Sequence, residues 1–184
     1  MTYLQYYNLN LNVNELEETC ANMEQFILKN FKNGNYNGTS AETTKVFEQY
    51  NFLLYPLPQV HELYEGIRKS FRSIVPDNPY FIQCWLNVYN KEDYIDWHRH
   101  WKAEENIWHG YYTVRGEGSI TSYRIPNTEQ IDVVNKVDQL VIGPSAGDQH
   151  RTYPWDGEGK RITIAFDIVP AWNCFPGINH WIPI

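Results

Sequence analysis

Two alternating stretches constrain the fold more than anything else in the chain. From Phe81 to Asn90 the even positions Ile82, Cys84, Leu86 and Val88 are apolar, whereas the odd positions Gln83, Trp85, Asn87 and Tyr89 are polar or aromatic. From Arg161 to Val169 the period returns, with Ile162, Ile164, Phe166 and Ile168 on one side and Arg161, Thr163, Ala165 and Asp167 on the other. A period of two belongs to a β-strand, whose successive side chains point to opposite faces. The first stretch therefore predicts a strand with one apolar face and one face of groups able to hydrogen-bond, as a strand lining a ligand cavity needs. A solvent-facing side is the other reading, although Trp85 and Tyr89 would be costly choices there.

Further strands are predicted at 110–115, at 119–125 after the Gly116-Glu117-Gly118 turn, and at 139–143. Before residue 80 the pattern is different. Residues 1–76 read as mostly helical, with Asn14 as N-cap, Glu15, Glu17 and Glu18 in a first turn that favours anions, and Leu16, Cys20, Met23, Ile27 and Phe31 at helical spacing. The breaker cluster from Asn33 to Gly38 ends that helix, and a short one is expected after Ser40. Pro56 and Pro58 introduce a second amphipathic helix carried by Val60, Leu63, Tyr64, Ile67 and Phe71. Pro76-Asp77-Asn78-Pro79 closes the helical part. Short strands separated by turn residues, with helices gathered at one end, predict a β-sandwich or jelly roll with helices packed outside. The expected organisation is one domain, comprising a helical flank (1–76), a jelly-roll core (80–170) and an irregular tail (171–184). His61 and His180 read as structural histidines.

The totals narrow the function. A chain of 184 residues suits a single core. A formal charge of -7 argues against a broad phosphate-binding surface, so nucleic acid is a disfavoured partner. Three widely spaced cysteines, Cys20, Cys84 and Cys174, suggest neither a disulfide framework nor a thiolate metal knuckle, and point to a reducing compartment. The N-terminus lacks a basic segment followed by an apolar one, and no run approaches the roughly eighteen apolar residues of a membrane span. The expectation is a cytoplasmic protein without a membrane partner, in the host cytoplasm if phage-encoded.

Chemistry concentrates in Asp93-Tyr94-Ile95-Asp96-Trp97-His98-Arg99-His100-Trp101. Neutral imidazole is the commonest protein metal ligand. In extended backbone Asp96, His98 and His100 share a face. A third imidazole, His150, lies in Gly147-Asp148-Gln149-His150-Arg151, and Arg161 opens the next apolar run. Two ligands close in sequence and a third from a distant strand would build a mononuclear centre with positions left open, as in the two-histidine, one-carboxylate face of non-haem iron oxygenases.

The order Tyr89, His98-x-His100, Gly110-Tyr111-Tyr112-Thr113-Val114, Asp138-x-Leu140-Val141-Ile142-x-Pro144, His150 and Arg161-Ile162-Thr163 resembles the iron(II)/2-oxoglutarate dioxygenases, in particular their prolyl-hydroxylase-like branch. The similarity spans roughly residues 80–170 and implies a double-stranded β-helix, a jelly-roll or cupin-like form. It implies ferrous iron held by His98 and His150, the carboxylate of 2-oxoglutarate gripped by Arg161 with Thr163 beside it, and Tyr89 and Tyr112 bonding that co-substrate. With O2, such an enzyme hydroxylates an unactivated C–H of a peptidyl, amino-acid or other small substrate and releases succinate and CO2. The sequence departs from the family where an acidic ligand is expected, for there it carries His100. Either His100 ligates, giving a three-histidine face, or Asp96 supplies the carboxylate, or His98 and His150 bind alone with water. His100 is favoured because it occupies the matching position. Trp97, Trp101, Trp108 and Trp155 are candidate walls of the site; His109, before the Tyr111-Tyr112 strand, could line the cavity, but a structural role is favoured. Two other classes stay open: a cupin-type three-histidine metalloenzyme that does not use 2-oxoglutarate, and a non-catalytic jelly-roll binding module.

Overall fold

The computed structural model describes residues 3–32, 34, 36–75, 78–102, 106–173 and 180–184. Asn33, Asn35, Pro76, Asp77, Cys174 and Pro176, which entered the reading of turns, cysteines and tail, lie outside the described residues. In chain order the elements are β1 (Gln5–Asn8), α1 (Val13–Asn30), α2 (Glu42–Lys45), α3 (Pro58–Ile74), β2 (Tyr80–Tyr89), β3 (Ile95–His98), β4 (Trp108–Arg115), β5 (Ile120–Arg124), β6 (Ile131–Val134), β7 (Gln139–Pro144), β8 (Gln149–Thr152), β9 (Arg161–Pro170) and β10 (Ile182–Pro183), with short 3-10 turns between. The strands form a six-stranded sheet, β1-β7-β4-β9-β2-β10, and a four-stranded sheet, β3-β8-β5-β6. Every named pairing is antiparallel.

The two faces of β2 and β9 divide the molecule's work. Their apolar sides, Ile82, Cys84, Leu86 and Val88 with Ile162, Ile164, Phe166 and Ile168, pack against Leu16, Cys20, Met23 and Ile27 of α1 and Val60, Leu63, Ile67 and Phe71 of α3. The helices thus cover the outside of the larger sheet, as expected, and this layer is the main core. The other sides face inward. β2 and β9 pair so that Tyr89 stands opposite Arg161, Asn87 opposite Thr163, Trp85 opposite Ala165 and Gln83 opposite Asp167. In a second cluster Leu4, just before β1, and Tyr111 and Val141 of the larger sheet meet Tyr123 and Val133 of the smaller. Gly110 sits where β4 is most crowded, since a Cβ there would come within 2.1 Å of the Val141 carbonyl oxygen.

Several elements differ from the sequence reading. Residues 5–8, expected in a helical segment, form β1, an edge strand on β7. Four residues of alternating burial are too few for a periodic signal to stand out. The same brevity hid β6 and β8, and β10 within the expected irregular tail. Helix α1 is capped by Asn12, whose side chain accepts from the Glu15 amide, in place of Asn14. Asn12→Ala is accordingly expected to cost about 1 kcal/mol in urea unfolding, and Asn14→Ala much less. Cys20 and Cys84 are buried free thiols. Among the described residues no helix is long and apolar enough to cross a membrane.

Candidate metal centre

Three imidazoles meet at the open end of the smaller sheet. His98, the last residue of β3, lies directly opposite His150 of β8. Two positions on, His100 turns to the same side, and one ring nitrogen from each of the three lies within 4.8 Å of the others. Their Nδ1 atoms face oxygen. His98 Nδ1 donates to the Asp96 backbone carbonyl at 2.8 Å. His100 Nδ1 lies 2.7 Å from Asp167 Oδ1, and His150 Nδ1 lies 3.7 Å from Asp148 Oδ2. With Nδ1 directed at an acceptor, Nε2 is the atom left to bind a metal, the arrangement that fixes the tautomer of a ligating histidine.

Electrostatics favour the ligand form at two of the three. Burial, helped by the neighbouring His100, pulls His98 down to about 3. Burial and the facing His98 hold His150 well below the ordinary histidine range. At His100 burial also opposes charging, but the charge and hydrogen bond of Asp167 outweigh it and the pKa rises. Asp148 is fully buried, which by itself would raise its pKa, yet His109 and His150 beside it hold the carboxyl well below the usual range. His109 Nε2 lies 3.3 Å from Asp148 Oδ2. His109, Asp148 and His150 form a second group of potential ligands sharing His150 with the first.

Behind the histidines a narrow cavity of about 50 Å³ runs between the sheets to Arg161. Arg161 is 2% exposed. Its Nε donates to Ser119 Oγ at 3.0 Å and its Nη2 to Thr121 Oγ1 at 3.4 Å, and its guanidinium lies 4.8 Å from the centre of the Tyr89 ring. Nη1 has no hydrogen-bond partner. No carboxylate pairs with Arg161 among the described residues. A buried charge without a counter-charge is costly, so this end of the cavity is built for an anion. Thr163 and Tyr89 line the same space, and burial pushes the Tyr89 phenol up, keeping it an O–H donor. Gly116, at φ 111°, makes room for Arg161, because a Cβ there would lie 2.7 Å from the arginine Cγ.

On the other side the histidines open into a larger cleft of about 630 Å³, walled by Tyr36, Phe47, Trp85, Trp101 and Trp181, with Lys45, Glu48 and Arg99 among its charged residues. His98, His100, Trp85 and Ile95 border both spaces.

The structure brings His98, His100, His150, Arg161, Thr163 and Tyr89 to one cavity. Asp96 is exposed and belongs to neither group of potential ligands. Tyr112 requires correction: it faces the helical layer, where its hydroxyl donates to Asp138 Oδ1 at 2.7 Å, and Tyr111 takes the cavity position. One residue of shift along a strand exchanges the two faces. Of the four tryptophans, Trp101 lines the outer cleft. Trp155 packs behind Tyr89 and Ile95, Trp97 lies beneath Arg124 and Arg151, and Trp108 packs on Phe71. His109 borders the inner cavity, and His180 lines the cleft. Sequence reasoning assigned no role to Asp148, Ser119 or Thr121. Asp148 lies two positions before His150, just ahead of β8.

No protein-family model matches the chain, and no curated protein matches it by sequence. Solved structures do match by shape. A prolyl-4-hydroxylase from Pseudomonas putida superposes with a TM-score of 0.66 at 10% identity, covering 91% of this chain and 92% of that one. HygX from Streptomyces hygroscopicus, solved with nickel and 2-oxoglutarate bound, gives 0.64 at 13% identity over 93% and 84%. A prolyl hydroxylase from Trichoplax adhaerens, in complex with a peptide fragment of hypoxia-inducible factor, gives 0.64 at 11% identity over 94% and 88%. The fold is therefore the double-stranded β-helix of prolyl-hydroxylase-like 2-oxoglutarate/iron(II) oxygenases, as the sequence resemblance implied.

Proposed function

We propose that this protein is an iron(II)- and 2-oxoglutarate-dependent oxygenase that hydroxylates an unactivated C–H bond of a peptidyl, amino-acid or other small substrate. The observation that carries this reading is the unpaired Nη1 of Arg161 at the closed end of a cavity whose other end is the histidine cluster. A site of that form takes an anionic group at one end and a metal-bound group at the other, which is what a short dicarboxylate with a 2-oxo group offers. HygX, of the same fold, was solved with nickel and 2-oxoglutarate together.

The donor set fits a divalent first-row metal, since imidazole suits iron among others. His98, His100 and His150 would hold it, and Arg161 would grip the far carboxylate of 2-oxoglutarate by charge-assisted, forked hydrogen bonds. Thr163, Tyr89 and, in place of Tyr112, Tyr111 line that pocket. When bound, iron(II) supplies with O2 the oxidising chemistry that couples decarboxylation of 2-oxoglutarate, to succinate and CO2, to oxygen insertion into a C–H bond. The aromatic cleft beyond the histidines receives the substrate, and its walls keep water from the reacting groups. The Trichoplax protein, of the same fold, was solved in complex with a peptide fragment, which favours a peptidyl substrate.

Anaerobic titration of the iron(II)-loaded protein with 2-oxoglutarate is expected to raise the weak visible charge-transfer band of the chelate, and exposure to air to yield succinate. Metal binding without band or succinate would favour the cupin-type three-histidine reading. Absence of metal binding as well would leave a jelly-roll binding module.

A further inference from the structure

Three imidazoles leave a bound divalent ion with its full charge, whereas a carboxylate ligand would neutralise half of it. This chain carries His100 where the carboxylate is expected, yet it does not lack carboxylates. Two buried ones stand directly behind the imidazoles. Asp167, 5% exposed, places Oδ1 at 2.7 Å from His100 Nδ1, while its Oδ2 accepts from Trp101 Nε1 at 2.9 Å. Asp148, 1% exposed, places Oδ2 at 3.7 Å from His150 Nδ1 and 3.3 Å from His109 Nε2, and neither of its oxygens makes a hydrogen bond of normal geometry. Among the described residues neither carboxylate pairs with a lysine or an arginine. Two buried anions without a fixed cation are costly, and both are aimed at the same point through a ring.

We infer that Asp167 and Asp148 supply, from behind His100 and His150, the negative charge that the ligands themselves do not bring to the metal. Asp167 accepts the Nδ1–H of His100, which fixes that tautomer and raises the donor strength of Nε2, whereas Asp148, at 3.7 Å from His150 Nδ1, acts on its imidazole through its charge. The metal in turn provides the positive charge that the two carboxylates lack. His98 differs, since its Nδ1 is held by the backbone carbonyl of Asp96, a neutral acceptor. The centre thus has two charge-backed imidazoles and one neutral one. Asp167 and Asp148 are positioning residues, and the inference rests on the three-histidine reading of the site.

The test uses cobalt(II) affinity by competition with a chelator, and the iron(III)/iron(II) midpoint potential, on the full chain. Asparagine keeps an acceptor of the same shape and removes the charge. Asp167→Asn and Asp148→Asn are each expected to lower metal affinity roughly 10- to 100-fold and to raise the midpoint potential, because the oxidised ion loses more from the missing charge. Returning a carboxylate to the ligand position should make Asp167 dispensable, so H100D/D167N is expected to recover the affinity and the potential lost in D167N. The double variant keeps one carboxylate at this pair and is read even if a single variant does not fold. Parent-like affinity and potential in both asparagine variants would overturn the inference while leaving the metal centre intact. So would a folded H100D/D167N protein no better than D167N. Two metal ions per chain would overturn it differently, by making Asp148 a ligand with His109 and His150. A parent that binds no metal would sink this inference together with the proposed function.

Discussion

Arg161→Ala is expected to weaken 2-oxoglutarate binding by about a hundredfold or more while leaving metal affinity within about twofold. Truncating one partner of a buried, hydrogen-bonded charge pair costs about 2–5 kcal/mol, and each 1.4 kcal/mol is about tenfold. The guanidinium is held by two hydroxyls, Ser119 and Thr121, and stacked on Tyr89. These partners orient the charge without cancelling it. Arg161→Lys should be intermediate, since an ammonium keeps the charge and loses the planar fork. The measurement is the dissociation constant of 2-oxoglutarate for metal-loaded protein, with metal content determined in parallel. Equal loss of metal and co-substrate would make Arg161 a structural residue and remove the main support for the proposed function.

The second large effect separates the candidates for the third ligand. His100→Ala is expected to lower metal affinity on the order of a hundredfold, a rough share per ligand of the binding energy of protein metal sites, whereas Asp96→Ala should leave the metal content of purified protein unchanged. The geometry behind this is direct: a nitrogen of His100 lies within 4.8 Å of those of His98 and His150, while the Asp96 side chain is exposed. An Asp96 variant that emptied the site, with His100→Ala retaining metal, would reverse the assignment.

Where the chain alternates over eight or more residues, sequence reading reached both the strand and its faces. Tyr89, Arg161 and Thr163 share the cavity because β2 and β9 keep their period from end to end. It failed where strands are short or a face hangs on one position. β1, β6, β8 and β10 run two to four residues, and two adjacent tyrosines, Tyr111 and Tyr112, look alike until register decides which meets the cavity. The histidines were legible from type and spacing. Their supporting groups were less so: Asp148 and Asp167 become meaningful only once β8 and β9 are folded around His150 and His100. Of the outer cleft little beyond Trp101 and the histidines was legible, since the rest is assembled from residues as distant as Tyr36, Phe47 and Trp181.

Strand β3 is an edge, bonded to β8 alone within its sheet, with an irregular register between Ile95 and His98. On its other side its backbone meets only the short stretch 38–40 among the described residues, where Asp96 N donates to the Gly38 carbonyl and Ser40 N to the Tyr94 carbonyl. Such a strand is where local opening is least costly. Because His98 and His150 face each other across this seam, an ion shared between them would fasten the edge as a clasp does. Order at the mouth of the barrel and loading of the centre would then be a single equilibrium, so the metal-free chain would be the form whose edge frays first.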